Sequence, residues 1–113
     1  MDITINNLQA ITVVELAGDL DANTASEVQQ KVISLATPSS KILLDLHDVE
    51  YMSSAGLRML LSLYRHVTAS DGQVVLVGLA PRIYKTMSIT GFLNFFTTCE
   101  TLESGLAVLQ QKS

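Results

Sequence analysis

The chain has 113 residues, of which 48% are hydrophobic and 16% are charged, and its formal net charge is −4. This much apolar surface can offset the entropy lost on ordering, which excludes a disordered protein, and the length indicates one domain. The seven Lys and Arg residues form no basic run, which argues against nucleic acid or an anionic membrane as a partner. The single cysteine, Cys99, excludes an internal disulfide.

The N-terminal segment lacks the basic stretch and the long apolar run of a signal peptide. No apolar stretch approaches the roughly 20 residues that a membrane-spanning helix needs. We therefore expect a soluble, cytoplasmic protein.

A β-hairpin and a helix are predicted first along the chain. "DITI" (2–5) and "AITVVELAG" (10–18) have strand composition, and "NNLQ" (6–9) between them supplies turn residues. Apolar residues then recur at helical spacing up to Leu35, shortly before Pro38. Asn23 or Thr24 is the expected N-cap of this helix, and Glu27 would complete a capping box with Thr24.

The remaining elements alternate between strands and helices. "KILLDL" (41–46) is continuous and apolar apart from Asp45, which is typical of a strand covered on both faces. We then expect a helix from about Ser54 to "SDG" (70–72), a strand over "QVVLVGL" (73–79), a helix over "PRIYKTMSITG" (81–91), a strand over "FFTTCE" (95–100) and a helix over "TLESGLAVLQQK" (101–112). This order predicts a single α/β domain over residues 1–113, with a mixed, mainly parallel sheet of about five strands, an opening hairpin and about four helices.

The residues that could take part in catalysis do not match the pattern of a known type of active site. His47 and His66 are the only histidines and lack metal-ligand spacing, and His66 falls on the polar face of its predicted helix. A pairing of His47 with a nearby serine is imaginable, but the G-x-S-x-G elbow is missing, and so are the dinucleotide and P-loop motifs. We predict a protein that is not an enzyme and has no cofactor and no metal site.

Asp45 has two equally supported interpretations. Its carboxylate could fix the loop that follows the strand, or it could belong to a site at the carboxyl end of the sheet, where ligands and partners bind in parallel folds. Asp19 and Asp21 lie in a strand-to-helix turn, where Asp is common for conformational reasons alone.

Two serines precede the second helix, in the segment "YMSSAGL" (51–57). Ser54 is the expected N-cap, a role worth about 1 kcal/mol. Capping explains one serine, but it does not explain why residues 53–56 are all small. Such a run leaves the backbone accessible to a partner and a hydroxyl unshielded. A phosphate would be tolerated there, because a helix N-terminus favours negative charge.

Two segments resemble the hallmarks of a known family. "LLDLHDVEYMSSAGLRMLL" (43–61) resembles the signature of the STAS domain family, specifically of the bacterial anti-sigma factor antagonists. "VVELAGDLDANTA" (13–25) resembles the loop that follows the second strand in that family, and the order of elements also fits.

The resemblance implies a binding switch. In the family, the unphosphorylated antagonist binds an anti-sigma factor serine kinase and so frees a sigma factor; the kinase phosphorylates a serine with ATP, and a serine phosphatase reverses this. The usual motif is Asp, phosphorylated Ser, Ser or Thr, Gly and Leu. On this chain Ser53 replaces the aspartate, Ser54 aligns with the acceptor, and Ala55 replaces the second hydroxyl. Ser53 is therefore a rival acceptor.

The resemblance also implies a partner-binding surface at the exposed edge of the sheet. Its expected members are Asp19, Asp21, Asn23, Thr24, Ser53, Gly56 and Leu57. An alternative within the same fold is a STAS scaffold that does not switch, or a subunit of a stress-signalling or lipid-transport complex.

Overall fold

The computed structural model describes residues 1–111 and contains five strands and four helices. Residue 112, the last residue of the expected terminal helix, lies outside the described part of the chain. In chain order the elements are β1 (Asp2–Leu8), β2 (Ile11–Ala17), α1 (Ala22–Ile33), β3 (Lys41–Asp48), α2 (Ser54–Ala69), β4 (Gln73–Val77), α3 (Pro81–Thr90), β5 (Thr97–Cys99) and α4 (Leu102–Gln111). A 3-10 turn at Phe92–Phe95 precedes β5.

The strands form one sheet in the order β1-β2-β3-β4-β5. β1 and β2 pair antiparallel, and every later pair is parallel. The predicted α/β class, the opening hairpin and the mainly parallel sheet are confirmed. Because β2, β3 and β4 run in the same direction, the loops after them lie at one edge of the sheet.

The hairpin turn is shorter than predicted. "NNLQ" was expected to be the loop, but β1 continues to Leu8, and Asn6 pairs with Val13. The turn consists of Gln9 and Ala10, whose φ angles are 54° and 66°. A two-residue turn with positive φ at both positions matches the twist of the paired strands, so strand pairing extends through the asparagines.

Helices cover both faces of the sheet, which explains the continuous apolar strands. Val14, Leu44 and Leu76 belong to the main core with residues of α1, α2 and α3. Their strand neighbours, such as Leu43 and Val75, form a second buried cluster with Leu109 of α4. β3 and β4 are therefore buried on both sides, as their composition predicted.

The cap of α1 differs from the prediction. Asp21 is the N-cap, rather than Asn23 or Thr24: its carboxylate accepts hydrogen bonds from the backbone N–H groups of Asn23 (2.9 Å) and Thr24 (3.2 Å). The Thr24 hydroxyl oxygen accepts in return from the N–H of Asp21 at 3.0 Å, which completes a capping box without Glu27. The helix therefore begins earlier, because an Asp cap with extended backbone already supplies the acceptor.

Among residues 1–111, no helix combines the length and apolar character needed to cross a bilayer.

Candidate functional site

Two loops at the carboxyl ends of β2 and β3 are joined by backbone hydrogen bonds. The N–H of Leu20 donates to the carbonyl oxygen of Tyr51 at 2.9 Å, and the N–H of Ser53 donates to the carbonyl oxygen of Leu20 at 2.9 Å. Nearer the strands, the N–H of Gly18 donates to the carbonyl oxygen of Asp48 at 3.1 Å. The residues expected on the partner-binding surface therefore come from two loops that lie side by side at one edge of the sheet.

Gly56 lies where the first turn of α2 meets the β2–α1 loop. A Cβ atom at this position would lie 2.7 Å from the carbonyl oxygen of Leu20 and 2.9 Å from Cγ of Met52. Both distances are shorter than normal contacts, so the backbones can approach this closely only with glycine at position 56. Gly56 is buried under the site and contributes shape rather than an exposed contact.

Ser53, not Ser54, is the N-cap of α2. Its backbone is extended (φ −80°, ψ 174°), and its hydroxyl oxygen accepts a hydrogen bond from the N–H of Gly56 at 3.3 Å. The predicted cap was one residue too late, because the hydrogen bond between Ser53 and Leu20 holds Ser53 outside the helix. The half-buried Ser53 hydroxyl therefore has a structural partner.

Ser54 is the first residue of α2, and its side chain is exposed. Within residues 1–111 its hydroxyl has no hydrogen-bond partner. The first turn of α2 contains no acidic side chain, so the positive end of the helix dipole has no negative partner from its own helix. The arrangement leaves an accessible hydroxyl at a helix end that can accommodate negative charge.

The predicted partner-binding residues of the β2–α1 loop divide into two kinds. Asp19 and Asn23 are exposed. Asp21 and Thr24 are half-buried and hold the loop in shape through the capping box, and the Thr24 hydroxyl also donates to the carbonyl oxygen of Asp19 at 2.8 Å. The loop is therefore an ordered surface that presents Asp19 and Asn23.

Leu57 was expected at the exposed edge, and this placement is wrong. Its side chain is only 7% exposed and packs in the main core. It lies on the broad apolar face of α2 that also buries Leu60 and Leu63, which explains the burial. Leu57 also lines a crevice of about 150 Å³ between α3 and the loop that contains Tyr51.

The carboxylate of Asp45 contacts His47 at the end of β3. Its Oδ1 atom accepts from the backbone N–H of His47 at 3.1 Å and lies 2.7 Å from Nδ1 of the same histidine. This geometry is that of a carboxylate that orders the following residues. His66 is exposed, as its position on the polar face predicted. Over the described part of the chain, no three or more His, Cys, Asp or Glu side chains are grouped to hold a metal ion.

Two contacts that assemble the site were not predicted from the sequence. The cap by Ser53 and the approach of Gly56 to Leu20 both depend on tertiary contacts between the loops. The available signal was Gly56 three residues after a serine, since a glycine in a first helical turn indicates close backbone approach.

The family model of the STAS domain matches residues 2–105. The chain therefore belongs to the STAS domain family, and the resemblance of the two loop motifs is confirmed.

One relative and two solved structures illustrate the similarity. The anti-sigma-B factor antagonist of Bacillus subtilis is 28% identical over 93 residues, which cover 82% of this chain and 85% of that protein. An anti-sigma-factor antagonist (STAS) domain protein from Planctomyces limnophilus has the same fold, with a TM-score of 0.88, 16% identity and coverage of 97% and 99%. The Bacillus cell fate determinant SpoIIAA in its phosphorylated form matches with a TM-score of 0.73, 18% identity and coverage of 96% and 99%.

Proposed function

We propose that this protein is an anti-sigma factor antagonist whose binding to an anti-sigma factor serine kinase is switched by phosphorylation of Ser54. The observation that carries the proposal is the exposed hydroxyl of Ser54, which has no hydrogen-bond partner among residues 1–111 and lies beside a helix cap that Ser53 already supplies. The name of the Bacillus subtilis relative supports the antagonist class. A fold neighbour solved in a phosphorylated form supports the chemistry.

Ser54 is the better acceptor of the two serines on physical grounds. Phosphorylation of Ser53 would place the phosphate on a half-buried oxygen that accepts from Gly56. The Ser54 oxygen can be modified without the loss of any hydrogen bond to residues 1–111. We therefore assign Ser54 as the phosphoacceptor.

A phosphate on Ser54 would change the surface and leave the fold intact. It adds about −1.5 to −2 charges, and the start of α2 tolerates them because its free N–H groups carry partial positive charge. The neighbouring loops already expose the carboxylates of Asp19 and Glu50. Binding of a partner that fits the unmodified surface would bury the phosphate beside these carboxylates, which costs the hydration of the phosphate and strengthens its repulsion by Asp19 and Glu50.

The partner surface comprises the two joined loops and the first turn of α2. Asp19, Asn23 and Ser54 are exposed there, while Asp21 and Thr24 fix the loop and Gly56 and Leu57 support it from below. The protein binds the kinase in its unmodified form, serves as substrate in the complex, and is restored by a serine phosphatase. It acts in the cytoplasm as a regulator without catalytic activity or a cofactor of its own.

The test is phosphorylation of purified protein with its cognate anti-sigma factor kinase and ATP. We expect intact-mass spectrometry to show one added phosphate on the wild type and on Ser53→Ala, and none on Ser54→Ala. Circular dichroism must show that both variants are folded. A phosphopeptide that maps to Ser53 would contradict the assignment, and a wild type that accepts no phosphate yet binds the kinase would favour a scaffold that does not switch.

A further inference from the structure

The two edges of the sheet differ in how they are protected. β5 is a three-residue strand whose side chains are half-buried, and a short edge strand offers little backbone for pairing. β1 has seven residues, six of them exposed, and it pairs with β2 in an unbroken register. It contains no proline, lysine or bulge, the features that block pairing between edges.

The hairpin geometry shows which backbone groups of β1 face the free edge. The turn is two residues long, so the pair that closes it, Leu8 with Ile11, is a hydrogen-bonded pair. Hydrogen-bonded pairs alternate along an antiparallel ladder, so the even-numbered residues of β1 bond to β2. Ile3, Ile5 and Asn7 therefore direct their N–H and C=O groups outward.

We infer that β1 pairs antiparallel with β1 of a second copy of this chain, around a two-fold axis at Ile5. Outward-facing residues then pair with each other: Ile5 with Ile5 of the second copy, and Ile3 with Asn7. The two-fold axis repeats the pair of Ile3 with Asn7, so three pairs in all would form about six backbone hydrogen bonds. In this register the only charged residue of β1, Asp2, lies opposite Leu8, so no like charges face each other.

The side chains at this edge favour the same partner. Ile3 and Ile5 pair with Leu16 and Val14, which belong to the main core, so they lie on the face covered by α1 and α2. Ile5 is 41% exposed in the single chain. The two-fold axis places the Ile5 side chains of the two copies side by side and removes this apolar surface from water.

The expected dimer is weak and leaves the proposed switch accessible. A single strand pair buries less surface than a standard interface, so association should depend on concentration. The two-fold axis is perpendicular to the sheet and reverses the strand direction. Ser54 of one copy therefore lies at the opposite end of the extended sheet from Ser54 of the other, and the dimer does not depend on phosphorylation.

The first experiment measures the mass of the purified full chain by analytical ultracentrifugation. We expect it to rise from the chain mass of 12.2 kDa toward twice that value as the concentration approaches about 1 mM. Ile5→Lys places two ammonium groups opposite each other on the axis and should weaken association at least about tenfold. Ser88→Lys adds the same charge at an exposed position of α3 and should not. Circular dichroism must show that both variants are folded.

A cross-linking experiment checks the register. In a Cys99→Ser background, Ile5→Cys places two thiols on Cα atoms about 5.5 Å apart, within disulfide range. Leu8→Cys is equally exposed, at 41%, but its two copies would be on the order of 20 Å apart. We expect oxidation to give a covalent dimer with Ile5→Cys only. A wild type that remains monomeric at 1 mM, a dimer insensitive to Ile5→Lys, or equal cross-linking of both cysteine variants would overturn the inference.

Discussion

The carbonyl oxygen of Leu20 accepts a hydrogen bond from the backbone N–H of Ser53 at 2.9 Å. Leu20 is fully buried in the loop after β2, and Ser53 caps α2, so this bond attaches the start of the helix to the neighbouring loop. The same oxygen would lie 2.7 Å from a Cβ at Gly56. The position of the Ser54 hydroxyl therefore depends on a contact between two loops that are distant in sequence.

Gly56→Ala should destabilise the protein. Alanine in a helix normally gains up to about 1 kcal/mol over glycine, but here its methyl group would collide with a backbone oxygen that a fully buried residue holds in place. We expect a net loss of about 1–3 kcal/mol, the usual cost of overpacking. Urea denaturation measures the change, with the exposed Ser54→Ala as the control. A Gly56→Ala variant as stable as wild type would show that the loops can separate without cost.

The two serines should differ in their effect on stability. Ser53→Ala removes the oxygen that accepts from Gly56 and should lower the free energy of unfolding by about 1 kcal/mol. Ser54→Ala removes no hydrogen bond to residues 1–111 and should stay within about 0.5 kcal/mol of wild type. This reverses the expectation from sequence, in which Ser54 was the cap. Thermal unfolding of the two variants is the measurement, and a larger loss for Ser54→Ala would contradict the structure.

Leu57→Ala should be strongly destabilising. Leu57 is 7% exposed and packs in the main core, and truncations of this kind cost about 2–5 kcal/mol. Leu57→Met keeps the volume and should cost less than about 1.5 kcal/mol. Kinase binding must be compared at a temperature where each variant is folded. A Leu57→Ala variant that loses binding but keeps its melting temperature would restore Leu57 to the exposed surface.

Asp21→Ala should lower stability as well as binding. The Asp21 carboxylate accepts from the N–H groups of Asn23 and Thr24, and loss of such a cap costs about 0.5–2 kcal/mol. Asn23 is an exposed neighbour whose side chain does not cap the helix, so Asn23→Ala should weaken binding and leave the stability unchanged. Melting temperatures separate the two residues; equal values for both variants would contradict the structural role of Asp21.

The features that follow from local pattern were predictable from sequence. β3 and β4 were recognised because helices cover both of their faces, which makes the strands continuously apolar. The helix caps were misplaced by one to three residues, because Ser53 and Asp21 are selected by contacts that a single segment does not reveal. The placement of Leu57 failed for a related reason: a family motif identifies which residue matters, whereas the helical phase decides whether it is buried.

The phosphorylated protein should bind the kinase weakly without refolding. The cap bonds of α2 involve Ser53, Gly56 and Leu20, so a phosphate on Ser54 leaves them in place, and circular dichroism should match the unmodified protein. Titration calorimetry with the kinase should give a dissociation constant raised at least about tenfold, equivalent to 1.4 kcal/mol.

Ser54→Ala is the matched control and should bind like the unmodified form, whatever the ATP concentration. Ser54→Asp has less charge than a phosphate and should weaken binding only partly. A carboxylate in the first turn suits the helix N-terminus, but the complex would bury it beside the carboxylates of Asp19 and Glu50. The phosphoprotein is the decisive sample. Equal affinity of the two phosphorylation states would refute the switch, and a changed dichroism spectrum would mean that the phosphate acts through the fold instead of through the charge of the interface.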